Sequence, residues 1–189
     1  MIRFISKATL AISLVAGALA MTHSAHAQQT PSAATIYKKL NRAVPAGQAA
    51  APRQRVSVDE LKRNRRLRSQ LPSINIQSIN FEFGSAAISP RERWKVGNIA
   101  DALLRFRRNR NERFLLEGHT DAVGSYEKNQ FLSEDRAQSL KRALVNWFGV
   151  PPRMLITVGY GEEQLLINTQ RPDWRNRRVT LRRATRYLR

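Results

Sequence analysis

Apolar residues fall at two spacings in this chain, and the spacings alternate along it. The stretch "INIQSINFEF" alternates apolar and polar residues, the period of a half-buried strand, best developed over 78–83. Val96, Ile99, Ala100, Leu103 and Leu104 then recur at helical spacing. Ser89, Pro90 and Glu92 supply an N-cap, a first-turn proline and an N3 glutamate, so a helix is predicted over 90–107. "RFLLEG" reads as a strand over 113–117. Leu132, Leu140, Leu144 and Trp147 mark a second long helix. Gly149 ends it near 148, and Pro151 with Pro152 prevents its resumption. "LITVGYG" and "NRRVTLRR" read as third and fourth strands around a loop at 162–175, with Val179 and Leu181 facing in.

That order is β-α-β-α-β-β. Strand–helix–strand units need right-handed crossovers and parallel pairing, while the closing pair can be antiparallel. The expected fold class is α/β (α+β): a two-layer sandwich, with a mixed four-stranded sheet and both long helices on one face. The chain has 189 residues, 42% of them apolar, enough for one packed core.

Three regions are expected. Residues 1–27 carry Arg3 and Lys7, a short apolar run and Ala25-His26-Ala27, the pattern of a signal peptide cut after Ala27. The apolar run is short of the ~20 residues a spanning helix needs, so no transmembrane segment is expected in the processed chain. Residues 28–73 read as a basic, Ala- and Pro-rich arm. Within it "IYKKL" suggests a transient helical turn. Ser57 and Glu60 have capping-box spacing and predict a basic helix over 58–70, lightly docked or undocked. Residues 74–189 are the compact domain.

Catalytic equipment is sparse. The chain has no cysteine, which excludes disulfides, thiol chemistry and a lipid carried on Cys. His23 and His26 leave with the signal peptide, so His119 alone remains, expected to steady its turn through a backbone hydrogen bond. Glu117, His119 and Asp121 alternate at a strand end, but the strand is expected to break at Gly118, and no metal is assigned. No nucleophile elbow surrounds Ser125 or Ser133. The expectation is no enzyme and no cofactor. Lys and Arg number 33 against 14 Asp and Glu, a net charge of +19. Such a field draws a chain toward polyanions.

Arg136 interrupts the apolar stripe of the second helix, sharing a face with Asn129 and Leu132. A guanidinium turned toward a core needs a carboxylate, because it cannot neutralise. Asp121, in the turn that opens the helix, is the nearest partner by chain order. Two readings stand. The charges can form a structural ion pair, or they can offer both signs to a zwitterion such as an amino-acid head group.

"INFEFGSAAIS", "LLEGHTDAVGS", "NQFLSEDRAQSL", "VGYGEE" and "NRRVTL" together resemble the OmpA C-terminal-like family, which includes the peptidoglycan-associated lipoprotein and MotB domains. The resemblance covers 78–181. It implies non-covalent binding of peptidoglycan through the diaminopimelate of the stem peptide, in the periplasm of a Gram-negative envelope, with association to the outer membrane. Carried over by motif position, Asp121 takes the ligand ammonium and Arg136 its carboxylate. Asn129 and Leu132 line the same face, Arg177 reaches in from the last strand, and Gly84 offers backbone at the rim. The alternative is a basic interaction protein that binds anionic envelope polymers or a membrane surface, the basic arm contributing, with Asp121–Arg136 purely structural. No specific nucleic-acid partner is expected. Trp174 and Arg175, just before the last motif, could touch sugar or membrane, or anchor their loop.

Overall fold

A computed structural model describes residues 30–42, 55–77, 79, 81 and 85–188. The expected signal peptide lies outside the described residues. Four strands form one sheet in the order β1-β4-β2-β3. They are β1 (Ser73–Ile76), β2 (Phe114–His119), β3 (Leu155–Gly159) and β4 (Arg178–Arg183). β2 and β3 are parallel, as the crossover through a helix requires. β4 inserts between β2 and β1 and runs antiparallel to both. The sheet is thus mixed, as the element order predicts.

The first strand differs from expectation. It is Ser73–Ile76 that pairs with β4, placing Ile74 opposite Leu181 and Ile76 opposite Val179. Of 78–83, Phe81 forms only an isolated antiparallel bridge to Ile88, and 78, 80, 82 and 83 lie outside the described residues. The apolar phase explains the boundary. Ile74 and Ile76 fall on even positions, Ile79 and Phe81 on odd ones. A shift by one residue turns every side chain to the other face, so one continuous strand cannot bury both sets.

The long helices are α4 (Arg93–Leu104) and α5 (Tyr126–Phe148). The Pro90–Glu92 turn before α4 is 3-10, so the α-helical part begins three residues later than the sequence predicts. Ser125 caps α5, its hydroxyl accepting from the Lys128 amide. Gly149, at φ 66°, closes it with a left-handed residue. Both helices pack on the sheet face formed by Ile74, Ile76, Phe114, Leu116, Leu155, Val179 and Leu181.

The region expected to be an arm contributes to this core. Ser32 caps α1 (Ala33–Leu40), whose Ile36 and Leu40 are fully buried beside α4 and β1. It is a docked helix, not a transient turn. The predicted helix at 58–70 is split at Asn64 into α2 (Val58–Arg63) and α3 (Arg65–Ser69). Asn64 caps the second piece by accepting from the Leu67 amide at 2.9 Å. These short helices cover the opposite sheet face. Leu61 and Leu71 join Leu115, Val158, Tyr160, Tyr187 and Leu188 in a second apolar cluster. Arg68 is 3% exposed, so α3 is firmly docked.

Candidate functional site

The sheet and α5 meet at the C-terminal ends of β2 and β3. Glycine lets them meet closely. A Cβ on Gly118 would lie 2.0 Å from the Ser133 carbonyl oxygen of α5. The "GHTD" turn is then clipped to the neighbouring loop, the Thr120 amide donating to Gly161 O at 2.9 Å and the Gly161 amide to Ser133 Oγ at 2.8 Å. This fixes where Asp121 emerges beside the start of α5.

Asn129 holds the same turn from the helix side. Its amide donates to the carbonyls of Asp121 (3.3 Å) and Val123 (3.2 Å) and to Glu162 Oε2 (2.6 Å). Asn129 is 5% exposed and its Nδ2 donors are all engaged by these bonds, so it shapes the site's wall. Leu132, half-buried, lies one turn on.

The charges pair differently from the sequence expectation. Asp121 Oδ2 accepts from Arg177 Nη1 at 2.6 Å. Arg136 donates its Nε to the Ser85 carbonyl at 3.2 Å, with its guanidinium 5.0 Å from the Phe81 ring centre. Among the described residues no carboxylate lies within salt-bridge distance of Arg136, although the residue is only 7% exposed. Its terminal nitrogens have no protein acceptor among them either. The Asp121–Arg136 structural pair is therefore absent, because Arg177 reaches Asp121 first. Burial and the charge of Arg177 push the Arg136 pKa down, while Asp121 pulls it back up.

Asp121, Asn129, Leu132, Arg136 and Arg177 thus gather around the opening of α5. Gly84 lies outside the described residues, but Ser85 beside it supplies rim backbone. Sequence reasoning missed Glu162 and Glu163 of "VGYGEE". Glu162 accepts from Asn129, and Tyr126 donates its hydroxyl to Glu163. Gly161, at φ 49°, turns the chain so that both acids follow the helix mouth.

The alternating trio Glu117, His119 and Asp121 is dispersed. Glu117 is taken by Arg182, through bonds of 2.8 and 2.9 Å. His119 meets the Thr180 hydroxyl at 3.1 Å, where a backbone partner was expected. Trp174 is 41% exposed, and Arg175 is held by Asp173 at 2.6 Å.

Fold and site together define an α/β domain with a paired carboxylate before its longest helix and, on that helix, a guanidinium that meets no carboxylate among the described residues. The OmpA family model matches residues 80–179, and the chain belongs to that family. It is 33% identical over 103 residues to outer membrane porin F of Pseudomonas aeruginosa, covering 53% of this chain and 29% of that one. It is 34% identical over 110 residues to the peptidoglycan-associated lipoprotein of the same organism, covering 57% and 62%. It therefore spans less than two thirds of either relative. The periplasmic domain of Helicobacter pylori MotB superposes with a TM-score of 0.51 at 20% identity, over 59% of this chain and 74% of that one, a likeness of fold. These relatives place the chain with proteins of the outer membrane and periplasm. No helix among the described residues is long and apolar enough to cross a membrane.

Proposed function

We propose that this chain binds peptidoglycan non-covalently, by capturing the zwitterionic end of diaminopimelate in the stem peptide. The observation that carries the reading is Arg136: nine-tenths buried, and without a carboxylate among the described residues. A buried cation is costly unless an anion completes it. The terminal nitrogens of Arg136 present a planar fork suited to a ligand carboxylate. Asp121, a few residues before α5, accepts the ligand ammonium and shares its charge with Arg177 during capture. Asn129 holds the turn that carries Asp121 against the start of α5. The likeness to a protein named for association with peptidoglycan supports the same ligand. The reading makes the chain a binding module rather than an enzyme.

The test is co-sedimentation of the full chain with purified sacculi. Binding should be lost in Asp121→Ala and in Arg136→Ala while both variants unfold cooperatively. It should be competed by free diaminopimelate and change little between low and moderate salt. Binding that survives both substitutions would sink the assignment. A steep loss with salt, without competition, would favour simple attraction of a basic chain to anionic polymers.

A further inference from the structure

The other face of the sheet carries a charged cavity that the wall-binding site does not use. Alternation along β2 sends Phe114, Leu116 and Gly118 toward α5, and Leu115, Glu117 and His119 the opposite way. Beyond the apolar cluster around Tyr160, β4 adds Arg178, Thr180 and Arg182 to that opposite face. α3 and the 164–166 loop close over these residues to leave a cavity of about 270 Å³. That lies near the small end of ligand pockets, which start at ~300 Å³.

Its charge is one-sided. Arg65, Arg68, Arg178 and Arg182 line it, against a single carboxylate, Glu117. Glu117 is fully buried, and Arg182 binds both of its oxygens. Arg68 donates to the backbone carbonyls of Leu61 and Lys62 and lies over the Tyr160 ring. Arg178 likewise meets only carbonyl oxygens, of Asn176 at 3.2 Å and Gln164 at 2.9 Å. These carbonyls satisfy donors but do not cancel charge.

Two lining groups remain incomplete. Arg178 is 8% exposed, and its Nε has no hydrogen-bond partner among the described residues. His119 is 2% exposed, and its Nδ1 has none among them. Thr180 donates its hydroxyl proton to Asn75 Oδ1, so His119 Nε2 donates to Thr180 and Nδ1 is bare. Buried nitrogens in a native protein are rarely left without partners. The two residues that carry them both line this cavity.

We propose that this cavity binds a phosphate group. Arginine forks match phosphate oxygens, and the surplus of guanidinium over carboxylate suits a doubly charged oxyanion better than a singly charged one. Arg178 Nε supplies a buried donor. Nδ1 of His119 becomes a second donor once it takes up a proton. Burial and the charges of Arg178, Arg182 and Arg68 hold His119 well below its ordinary pKa. A bound anion opposes the repulsion part of that shift. Arg65 and Ser69, both exposed, mark the entrance. The same headgroup chemistry reaches the protein from a soluble phosphate compound or from an anionic phospholipid.

Titration of the full chain with inorganic phosphate, followed by NMR, tests this. Expected are saturable shifts at the amides of His119, Arg178 and Thr180 and a raised titration midpoint of the His119 ring. Arg178→Gln should weaken binding roughly tenfold or more, the loss expected of one charge-assisted hydrogen bond. Arg65→Gln, at the exposed entrance, should weaken it less, and it serves if Arg178→Gln does not fold. Asp121→Ala should leave phosphate binding unchanged, which separates this site from the wall-binding one. Phosphatidylglycerol vesicles that co-sediment with the chain and are displaced by phosphate would make a lipid headgroup the source. Vesicles without effect, beside retained phosphate binding, would make the source soluble. Shifts that never saturate, or that both arginine substitutions leave intact, overturn the proposal.

Discussion

Arg177 reaches across from the start of the last strand to hold Asp121 at 2.6 Å, and so leaves Arg136 without a carboxylate among the described residues. The side chain of Asp121 is 12% exposed and that of Arg177 is 45% exposed. The pair is therefore half in water, and its screening is substantial. A half-screened pair can open at little expense. A fully buried Asp–Arg pair would resist any ligand that had to separate it.

Arg177→Ala should therefore change stability by no more than ~1 kcal/mol, the range of partly exposed ion pairs. Its effect on sacculus binding should be larger than its effect on the urea midpoint. Arg136→Lys should not restore what Arg136→Ala loses, because an ammonium cannot make two parallel bonds to a carboxylate. Sedimentation with sacculi and urea unfolding of the same preparations measure both quantities. Full binding by Arg136→Lys would show that charge alone suffices there.

Much of this arrangement is legible in the sequence. The helical stripe ended by Gly149 places Arg136 on the sheet-facing side of α5, and the order of elements places Asp121 before that helix. The ion-pair partner is not legible by chain order, because Arg177 is 56 residues from Asp121 and arrives only when β4 inserts beside β2. The position of β1 was legible but easily misread: the apolar phase slips between Ile76 and Ile79. The docking of α1 also left a trace. Ala33, Ile36, Tyr37 and Leu40 follow helical spacing behind a Ser32 cap. Eight residues are too few to be a stable helix alone, and only the tertiary contact with α4 settles it.

Stability should fall as pH drops below about 6.5. His119 is neutral in the fold, its pKa pressed well below that ordinary value by burial and then by Arg178, Arg182 and Arg68. In the unfolded chain it takes up a proton near 6.5, so below that pH the unfolded state binds more protons and gains on the folded one. The slope can reach about 1.4 kcal/mol per pH unit until the folded-state pKa is met. His119→Gln should flatten the curve between pH 6.5 and 5 whatever it does to stability at pH 8. Thermal unfolding across that range gives both curves, and parallel curves would remove His119 as the cause.

Gly118→Ala should be among the most damaging single substitutions in the domain. Its Cβ would sit 2.0 Å from the carbonyl oxygen of Ser133, a backbone atom that no rotamer change can move. α5 must then lift from β2 and β3, opening the packing of Leu140 and Leu144 as well. A loss on the order of 3 kcal/mol or more is expected. Gly124→Ala is the control: it has nothing within 4 Å, and only its φ of 104° opposes a side chain. Paired thermal melts should rank Gly118→Ala clearly below Gly124→Ala.

Leu40→Ala should destabilise the whole domain, not merely loosen an appendage. Leu40 and Ile36 are fully buried, and they share one core with Ile99, Leu103, Phe114 and Leu181 of α4, β2 and β4. Tyr37 reinforces the contact, its ring 4.8 Å from that of Phe106. Removing a buried leucine side chain from such a core costs ~2–5 kcal/mol, the lost burial plus the cavity left behind. A helix in a mobile arm would cost almost nothing. The urea midpoint, read by a probe outside α1 such as Trp147 of α5, separates these cases. A lowered midpoint at unchanged slope means that α1 folds with the sheet as one unit. A midpoint equal to that of the parent chain would mean that α1 detaches in solution and that the OmpA-family domain stands without it.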